Sequence, residues 1–457
     1  MGHNTYRFTL SDYHAIKSAD ISIDGITVLA GENGCGKSTL SRWLYYIING
    51  SQRFDEFIFK EILIEKIRDK IINLDLASRD LIIFNLRENR RLNKTPDDFI
   101  REAWRQLVKD DYTYMDVQEV ESIYKQLIHQ FCGQLLVFFN TIEKSSPRRK
   151  RLIDHLQIDD IPDANTEQLI EMFIAKNDEF LESVKKQYQD EKNFRSYSRF
   201  LRTVKNQYEE TDAAPQHIQL YEDNVELIND KHISTLFHLQ RAIYIDTPMS
   251  VMNTSTENVF WKELGNYILK NRKSGISYQD PTMSYKKLLR RIKDIIHGEA
   301  VIIENDDKSD SDELRYISSD NSINIEIEKA ATGFKTFTYL QRLLDNGLLG
   351  SDTLLLIDEP EAHLHPQWIV EYARLLVLLH KELGVKIMLA THNPDMVAAI
   401  RAISEKEDVL SNTNFYLASP SGENQYEYKN LGTEIGEIFT SFNIALSRIQ
   451  LYGCNSL

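Results

Sequence analysis

The chain has 457 residues, of which 42% are hydrophobic and 27% are charged, which is typical of a globular protein with about two or three domains. No apolar run approaches the roughly 20 residues of a membrane-spanning helix, and the polar start MGHNTYRF lacks the apolar region of a signal peptide. We therefore expect a cytoplasmic protein without membrane contact, and three cysteines without metal-ligand spacing fit a reducing compartment.

The net charge of −15 argues against a surface covered with nucleic-acid contacts, because such contacts rely on lysine and arginine. Three basic clusters, at residues 87–91, 147–151 and 286–293, keep local DNA binding possible. A solvated helix face or loop is the more common explanation for clusters of this kind.

A phosphate-binding loop is predicted close to the N-terminus. The run ITVLA (26–30) has the pattern of a short buried strand, and STLSRWLYYII (38–48) has helical spacing. Between them, GENGCGKST (31–39) fits G-x-x-x-x-G-K-[ST], whose backbone N–H groups and following helix bind phosphate. We expect Lys37 to contact the β- and γ-phosphates of ATP and Ser38 to bind Mg²⁺. The predicted nucleotide-binding residues of the loop are Gly31, Asn33, Gly34, Gly36, Lys37, Ser38 and Thr39.

Strand signals nearly vanish between residues 51 and 238, where apolar residues recur every three or four positions. Breaks such as IPDANTEQ indicate several separate helices, one of which could be capped by Asn165 or Thr166. The period is not sustained long enough for a long coiled coil. We predict a compact helical insertion here, and we expect it to recognise something other than ATP.

Two features in the middle of the chain have more than one explanation. The buried-strand pattern RAIYI (241–245) ends at Asp246, which could be a magnesium or coupling contact, although turn chemistry with Thr247 and Pro248 explains it equally well. The acidic stretch ENDDKSDSDE (304–313) lacks the glycine of an EF-hand loop, so we interpret it as a solvated hairpin tip.

A hydrolysis site is predicted from two strand ends far downstream of the loop. In TLLLIDEPEAHLHP (353–366), the apolar run suits a strand buried on both faces, and it ends in Asp358 and Glu359. We expect Asp358 to hold Mg²⁺ and Glu359 to act as general base for the attacking water. One helix and one strand later, ATHNPDMV places His392 at a strand end, where an imidazole could contact the γ-phosphate. The predicted catalytic residues are Lys37, Glu359 and His392.

This combination resembles the ATP-binding-cassette type of P-loop ATPase, in which the histidine is called the switch. DEPEAHLHP followed by ATHNPDMV is similar to the AAA-family branch that includes OLD ATPases and relatives of SMC and Rad50 proteins. The resemblance covers residues 1–50 and 299–400. It implies an α/β fold in which a mixed sheet is flanked by helices, here with a large all-helical insertion.

The same branch uses a signature loop that reaches the γ-phosphate bound by the opposite subunit. Here an alternating strand pattern at Ile323–Ile327 and an amphipathic helix flank Thr332 and Gly333, which match the hydroxyl and the glycine of that loop. Phe334 and Lys335 depart from it. The resemblance therefore implies that two chains sandwich two ATP molecules, as a homodimer or within a higher homo-oligomer.

Four segments follow from these patterns. The ATPase core is predicted in two halves, at residues 1–50 and 239–400, which are separated by the helical insertion at 51–238. A C-terminal hairpin and helix are predicted at residues 401–457. On that last helix an apolar stripe fits either a core or a partner-docking surface. The stripe consists of Ile438, Phe439, Phe442 and Leu446.

The resemblance also carries a functional expectation. An OLD nuclease would continue after the switch histidine into a TOPRIM domain with acidic metal ligands, and no such acidic set follows here. The chain is instead similar to ATPase subunits of bacterial anti-phage systems, foremost the Septu type with its separate HNH nuclease, and next retron-linked ATPases. The leading hypothesis is an ATP-hydrolysing regulator of a separate nuclease, and the alternative is a DNA-repair or chromosome-maintenance clamp that binds DNA directly. A transporter subunit and a scaffold that binds ATP without hydrolysing it are the remaining alternatives.

Overall fold

The computed structural model describes residues 4–88, 90, 94–107, 115–159, 161, 164–208, 212–236, 238–246, 259–269, 283–303 and 313–442. The chain divides into two compact units, one combining Met1–Gln52 with Ser196–Leu457 and the other consisting of Arg53–Arg195. Most of the acidic hairpin tip (304–312) lies outside the described residues, as do Thr247, Pro248 and Leu446. None of the described helices has both the length and the apolar character that crossing a bilayer requires.

The first unit is built on one mixed sheet, which contains ten strands among the described residues. With strands numbered along the chain, its members are β1 (Tyr6–Tyr13), β2 (Ile16–Ile23), β3 (Ile26–Ala30), β4 (His217–Glu222), β5 (Val225–Ile228), β6 (Arg241–Ile245), β10 (Thr353–Asp358), β11 (Lys386–Thr391), β12 (Thr413–Gly422) and β13 (Gln425–Gly432). They lie in the order β5-β4-β1-β2-β13-β12-β3-β11-β10-β6. The run from β12 to β6 is parallel, whereas β12–β13, β1–β2, β1–β4 and β4–β5 pair antiparallel.

Three adjacent strands bring the predicted motifs together. Every residue of β3 (ITVLA), β10 (TLLLID) and β11 (KIMLAT) is buried, as expected for parallel strands covered on both faces. In the register, Asp358 of β10 lies opposite Ala390 of β11, and Thr391 of β11 lies opposite Ala30 of β3. The carboxyl ends of these strands therefore meet at one edge of the sheet, where α/β proteins place their ligand sites.

Helices and a small second sheet complete the first unit. Its helices are α1 (Lys37–Gln52), α9 (Tyr197–Gln207), α10 (Val259–Leu269), α11 (Met283–Ile296), α12 (Thr332–Asp345), α13 (Pro366–Leu383), α14 (Pro394–Lys406) and α15 (Gly436–Phe442). The small antiparallel sheet has the order β7-β8-β9, with β7 at Gly298–Ile303, β8 at Glu313–Ser318 and β9 at Asn324–Glu326. The strand predicted at Ile323–Ile327 is thus shorter, because a 3₁₀ turn occupies Ile327–Lys329.

The second unit is helical throughout its described elements. They are α2 (Phe54–Ile58), a π-helical turn (Phe59–Ile64), α3 (Glu65–Asn73), α4 (Asp75–Arg87), α5 (Pro96–Leu107), α6 (Val117–Thr141), α7 (Pro147–Leu156) and α8 (Thr166–Phe194). Asn165 caps α8 in a capping box with Gln168, as the sequence had suggested. Between α6 and α8, the buried Tyr124 hydroxyl donates a 2.6 Å hydrogen bond to Asn177.

The predicted segment boundaries at residues 238 and 401 do not match the two compact units. The helical unit ends at Arg195, and the following residues return to the first unit, where β4 pairs antiparallel with β1. The signal for β4 is the alternation of buried Ile218 and Leu220 in HIQLYE, which is too short to stand out in a helical stretch. The C-terminal hairpin is also not a separate body, because β12 pairs with β3 inside the main sheet.

Candidate nucleotide-binding site

The loop between β3 and α1 has the backbone shape of a phosphate cradle. Gly34 and Gly36 adopt φ values of 83° and 94°, in the left-handed region that residues with a side chain rarely occupy. A methyl group at Gly36 would also lie 2.6 Å from Cγ1 of Ile16 on the neighbouring hairpin. The glycine allows this close approach, and α1 then begins at Lys37 with its N-terminus at the loop.

The ammonium group of Lys37 is held inside the loop. Its Nζ atom donates hydrogen bonds to the carbonyl oxygens of Gly31 (2.9 Å) and Glu32 (2.8 Å), and it lies 3.7 Å from Sγ of Cys35. Cys35 is fully buried and fills space inside the loop. A buried lysine whose partners are neutral carbonyls retains an unneutralised positive charge, which suits an anionic ligand.

A cavity of about 430 Å³ opens at this loop. That size lies within the range of small-molecule and cofactor sites, so a nucleotide fits the residues present. Its lining combines the loop with residues of β1, the β1–β2 turn, α1, the two strand ends and Asp212. The lining residues are Tyr13, His14, Ala15, Asn33, Gly34, Gly36, Lys37, Ser38, Thr39, Arg42, Trp43, Asp212, Glu359 and Ala390.

Asp358 lies at the end of β10, 2% exposed, among hydroxyl groups. Ser41 donates a hydrogen bond of 2.9 Å to its Oδ1 atom, Tyr244 donates one of 2.8 Å to Oδ2, and Ser38 donates a third bond. Burial raises the pKa of Asp358, and these hydrogen bonds oppose that rise. The two residues predicted as metal ligands, Ser38 and Asp358, are therefore in direct contact.

Oxygen ligands of this kind suit Mg²⁺, which usually takes one or two protein ligands and completes its shell with water and phosphate. In the described part of the chain, no group of three or more His, Cys, Asp or Glu side chains is arranged to hold a metal by itself. Ser38 and Asp358 would thus hold Mg²⁺ only together with phosphate oxygens and water.

Glu359 and His392 form the second pair that the sequence predicted. Oε1 of Glu359 lies 3.4 Å from Nδ1 of His392, and the two side chains are 37% and 45% exposed. The backbone of Glu359 has a positive φ of 47°, held by a 2.7 Å hydrogen bond from its N–H to the Ala390 carbonyl. Backbone conformations of this kind cost energy in non-glycine residues and cluster at functional sites. The pair thus places a carboxylate and an imidazole, two groups that commonly transfer protons in enzymes, side by side.

Asp246 directly follows β6, which pairs in parallel with β10 so that Ile245 lies opposite Ile357. It is therefore next to Asp358 at the same sheet edge, and its charge contributes to the raised pKa of Tyr244. This placement fits the coupling or metal contact considered from the sequence.

Thr332 and Gly333, the proposed signature residues, form the first turn of α12 and do not line the cavity. A methyl group at Gly333 would lie 2.9 Å from the Trp368 ring, so packing alone explains the glycine. Of the two histidines after β10, His365 caps α13, where its Nδ1 accepts a 3.4 Å hydrogen bond from the Gln367 N–H.

Several residues of the site were not predicted from the sequence. Tyr13 and His14 lie at the turn between β1 and β2, and Nε2 of His14 lies 3.5 Å from Oδ2 of Asp212. Tyr244 is an ordinary aromatic residue of a strand until β6 is placed beside β10. The positive φ of His14, 49°, has no local sequence signal comparable to Asn-Gly.

A phosphate loop, an acidic strand end that contacts it, and a histidine at the next strand end define a P-loop ATPase of mixed α/β fold. The comparison with protein families agrees: residues 26–398 match the family described as "AAA domain, putative AbiEii toxin, Type IV TA system". The chain belongs to this AAA ATPase family.

Curated relatives match shorter parts of the chain. A "Putative ABC transporter ATP-binding protein CPE0195" of Clostridium perfringens (strain 13 / Type A) is 33% identical over 136 residues, which cover 28% of this chain and 45% of that protein. The "Energy-coupling factor transporter ATP-binding protein EcfA2" of Clostridium perfringens (strain SM101 / Type A) is 48% identical over 44 residues, 10% of this chain and 15% of that protein. The chain therefore spans less than half the length of either relative.

Solved structures with similarity to the chain include SMC head domains. The Smc head domain of Pyrococcus furiosus, with an extended coiled coil and bound to the C-terminal domain of ScpA, has a TM-score of 0.33 and 12% identity, covering 97% of this chain and 98% of that one. An SmcHead bound to the C-winged helix domain of ScpA has a TM-score of 0.37 and 11% identity, with coverage of 94% and 98%. These similarities are too distant to transfer a function.

Proposed function

We propose that the protein binds ATP with Mg²⁺ in the cavity at Lys37 and hydrolyses it. The observation that carries this proposal is the meeting, at one sheet edge, of the loop, the Ser38–Asp358 contact and the Glu359–His392 pair. In this proposal the loop N–H groups and Lys37 bind the phosphates, and Ser38 and Asp358 hold Mg²⁺, which when bound neutralises phosphate charge.

Glu359 is the proposed general base. Its side chain lines the cavity and is partly exposed, so it can accept a proton from a water molecule placed beside the γ-phosphate. Nδ1 of His392 lies 3.4 Å from that carboxylate, so in this proposal His392 orients Glu359 and contacts the phosphate. Thr332 and Gly333 would contact the ATP of a second copy, which is consistent with their position away from the cavity of their own chain.

We further propose that ATP turnover regulates a separate nuclease in an anti-phage defence complex of the Septu type. The described residues include one site with ATPase chemistry and no additional cluster of acidic or imidazole metal ligands such as a metal-dependent nuclease requires. Loss or hydrolysis of ATP would change the arrangement of two chains and release the nuclease.

The alternative of a direct DNA clamp has less support. Side chains in two of the basic clusters are engaged within their own units, because Arg149 is buried and donates to the Ala164 carbonyl, while Arg291 pairs with Glu371 at 3.2 Å. Arg151 pairs with Asp80 at 2.9 Å. Such pairing reduces the positive charge that a DNA backbone would meet.

Two measurements test this function. Purified protein should hydrolyse ATP in the presence of Mg²⁺, and Glu359→Gln should retain ATP while turnover is lost; normal hydrolysis by this variant would show that Glu359 is not the base. Co-purification from the native host, with mass determination at high and negligible ATP, should yield a nuclease-sized partner at a fixed ratio. A chain that purifies alone and retains DNA in a salt-dependent manner would favour the clamp instead.

A further inference from the structure

We propose that Glu361 is a positioning residue, which holds the switch histidine His392 in the orientation needed for ATP hydrolysis. This inference rests on the proposed ATPase function and deepens it. Glu361 follows β10 in the segment that leads to α13, and it does not line the nucleotide cavity. Its importance comes from its contacts with the residues at the end of β11.

One oxygen of Glu361 is connected to both the backbone and the ring of the histidine segment. The side chain is almost completely buried, at 4% exposed. Its Oε1 atom accepts a 2.7 Å hydrogen bond from the Thr391 hydroxyl and a 3.3 Å bond from the His392 backbone N–H. The same oxygen lies 3.7 Å from Nδ1 of the His392 ring. The Glu361 carboxylate therefore holds the backbone of His392 in place and lies beside Nδ1 of its ring, not Nε2.

The contact extends to the next helix. Oγ1 of Thr391, which donates to Glu361, accepts a 3.0 Å hydrogen bond from the Asn393 N–H. Asn393 in turn caps α14, because its side-chain oxygen accepts a 2.7 Å bond from the Asp395 N–H. His392 thus lies between Thr391 and Asn393, both of which are held by side-chain hydrogen bonds. Glu361 is the charged group at one end of this series of hydrogen bonds.

The positions of two carboxylates determine which ring nitrogen of His392 carries a proton. Oxygens of Glu359 and Glu361 lie 3.4 Å and 3.7 Å from the same nitrogen, Nδ1 of His392. Two negative charges on this side favour a proton on Nδ1, so Nε2 is the nitrogen left for another partner. Glu359 is partly exposed and is the proposed base, whereas Glu361 is buried and held by hydrogen bonds from Thr391 and the His392 backbone.

The second oxygen of Glu361 shows that the residue is not optimised for stability. Oε2 is buried and has no hydrogen-bond partner among the described residues. An unsatisfied buried carboxylate oxygen destabilises the folded state; glutamine would put an NH2 group in the same place, which is also without a partner but carries no charge and so costs less to bury. Departures of this kind from good packing chemistry are expected where function requires them.

The test compares wild-type full-length protein with Glu361→Gln, which keeps the shape and the Oε1 acceptor but removes the charge. We expect kcat for ATP hydrolysis to fall by roughly 10- to 100-fold, as for carboxylates that orient metal-bound histidines, with an unchanged Kd for ATP. In protein with isotope-labelled histidine, the imidazole nitrogen shifts of His392, assigned with His392→Gln, should move towards the tautomer without a proton on Nδ1. The matched control is Glu405→Gln, an exposed carboxylate on α14 that pairs with Arg401 and should leave both readouts at wild-type values.

Wild-type turnover in Glu361→Gln would overturn the inference, whether or not the His392 shifts move. If wild-type protein hydrolyses no ATP at all, the proposed function is refuted, and the role of Glu361 is then tested by the His392 nitrogen shifts recorded without nucleotide. Shifts in Glu361→Gln that equal those of wild type overturn the role of Glu361, and displaced shifts support it. Thr391→Val removes the hydroxyl, and with it the hydrogen bonds to Glu361 and from Asn393, while leaving the charge of Glu361 in place; Thr391→Ser restores the hydroxyl. If Glu361→Gln does not fold, a loss of turnover in the valine variant with recovery in the serine variant supports the inference, and equal turnover in both overturns it.

Discussion

The hydroxyl of Tyr244 donates a 2.8 Å hydrogen bond to Oδ2 of Asp358 across the parallel pair of β6 and β10. Burial raises the pKa of both side chains, so the tyrosine remains a proton donor at neutral pH. Ser41 of α1 satisfies the other carboxylate oxygen. The carboxylate that we propose for Mg²⁺ binding is therefore oriented by residues on both of its sides before any ligand arrives.

Tyr244→Phe should destabilise the protein by about 1–3 kcal/mol, because a buried carboxylate oxygen loses its donor while packing is retained. The measurement is chemical denaturation without nucleotide. Tyr372→Phe is the matched control: the Tyr372 hydroxyl is buried and has no partner among the described residues, so its removal should leave stability unchanged or increase it. Equal losses in both variants would show that the Tyr244 hydrogen bond contributes nothing specific.

Glu361→Gln should make the protein more stable than wild type at neutral pH. Burial raises the pKa of Glu361 above that of an unfolded glutamate, about 4.3, so between these two values the folded state binds more protons than the unfolded state. Wild-type stability consequently falls as the pH rises through this window and stays lower above it, whereas glutamine does not titrate. The free energy of unfolding, measured at several pH values, should be higher for the variant than for wild type at neutral pH, and this difference should disappear at acidic pH. A difference that does not change with pH would contradict the prediction.

Lys37→Ala should abolish stabilisation by nucleotide. A ligand at about 100 times its Kd stabilises a folded protein by about 2.7 kcal/mol, and this requires the site to bind it. Thermal unfolding with and without MgATP should shift for wild type and not for the variant. Lys381→Ala removes an exposed lysine paired with Glu407 and should shift like wild type. A full shift in Lys37→Ala would place nucleotide binding elsewhere.

Replacing Gly333 should lower folding stability, whereas replacing Thr332 should weaken the ATP-dependent association of two chains. Gly333→Ala places a methyl group against the Trp368 ring and should cost about 1–3 kcal/mol of stability in the absence of ATP. Thr332→Ala, at a half-buried position, should cost only about 0.5 kcal/mol of that stability but should weaken ATP-dependent association of two chains. Denaturation and light scattering with MgATP test the two effects, and unchanged association in Thr332→Ala would remove the signature assignment.

The motif residues could be predicted because their signals are local. Apolar runs that end in Asp358 and His392, and a glycine pattern before Lys37, indicate buried strands with polar ends, and the structure brings all three ends together. The chain's family and its mixed sheet agree with that prediction.

Residues whose role depends on a neighbouring element could not be found in this way. Tyr244 becomes significant only when β6 lies beside β10, and Glu361 only when the loop after β10 meets the end of β11. The boundary at Arg195 was missed because β4 forms by pairing with β1, about two hundred residues earlier, and six residues of alternation are a weak signal by themselves.

The position of β3 also has a consequence for synthesis on the ribosome. Its two neighbours in the sheet are β11 and β12, which end at Thr391 and Gly422. β3 is synthesised about 350 residues before β11 and β12, so this sheet must close late and through long-range pairing. The nascent first unit is thus exposed to chaperones and to misassembly until β11 and β12 have been synthesised. The helical unit is one continuous segment, Arg53–Arg195, and can fold before β3 has its partners.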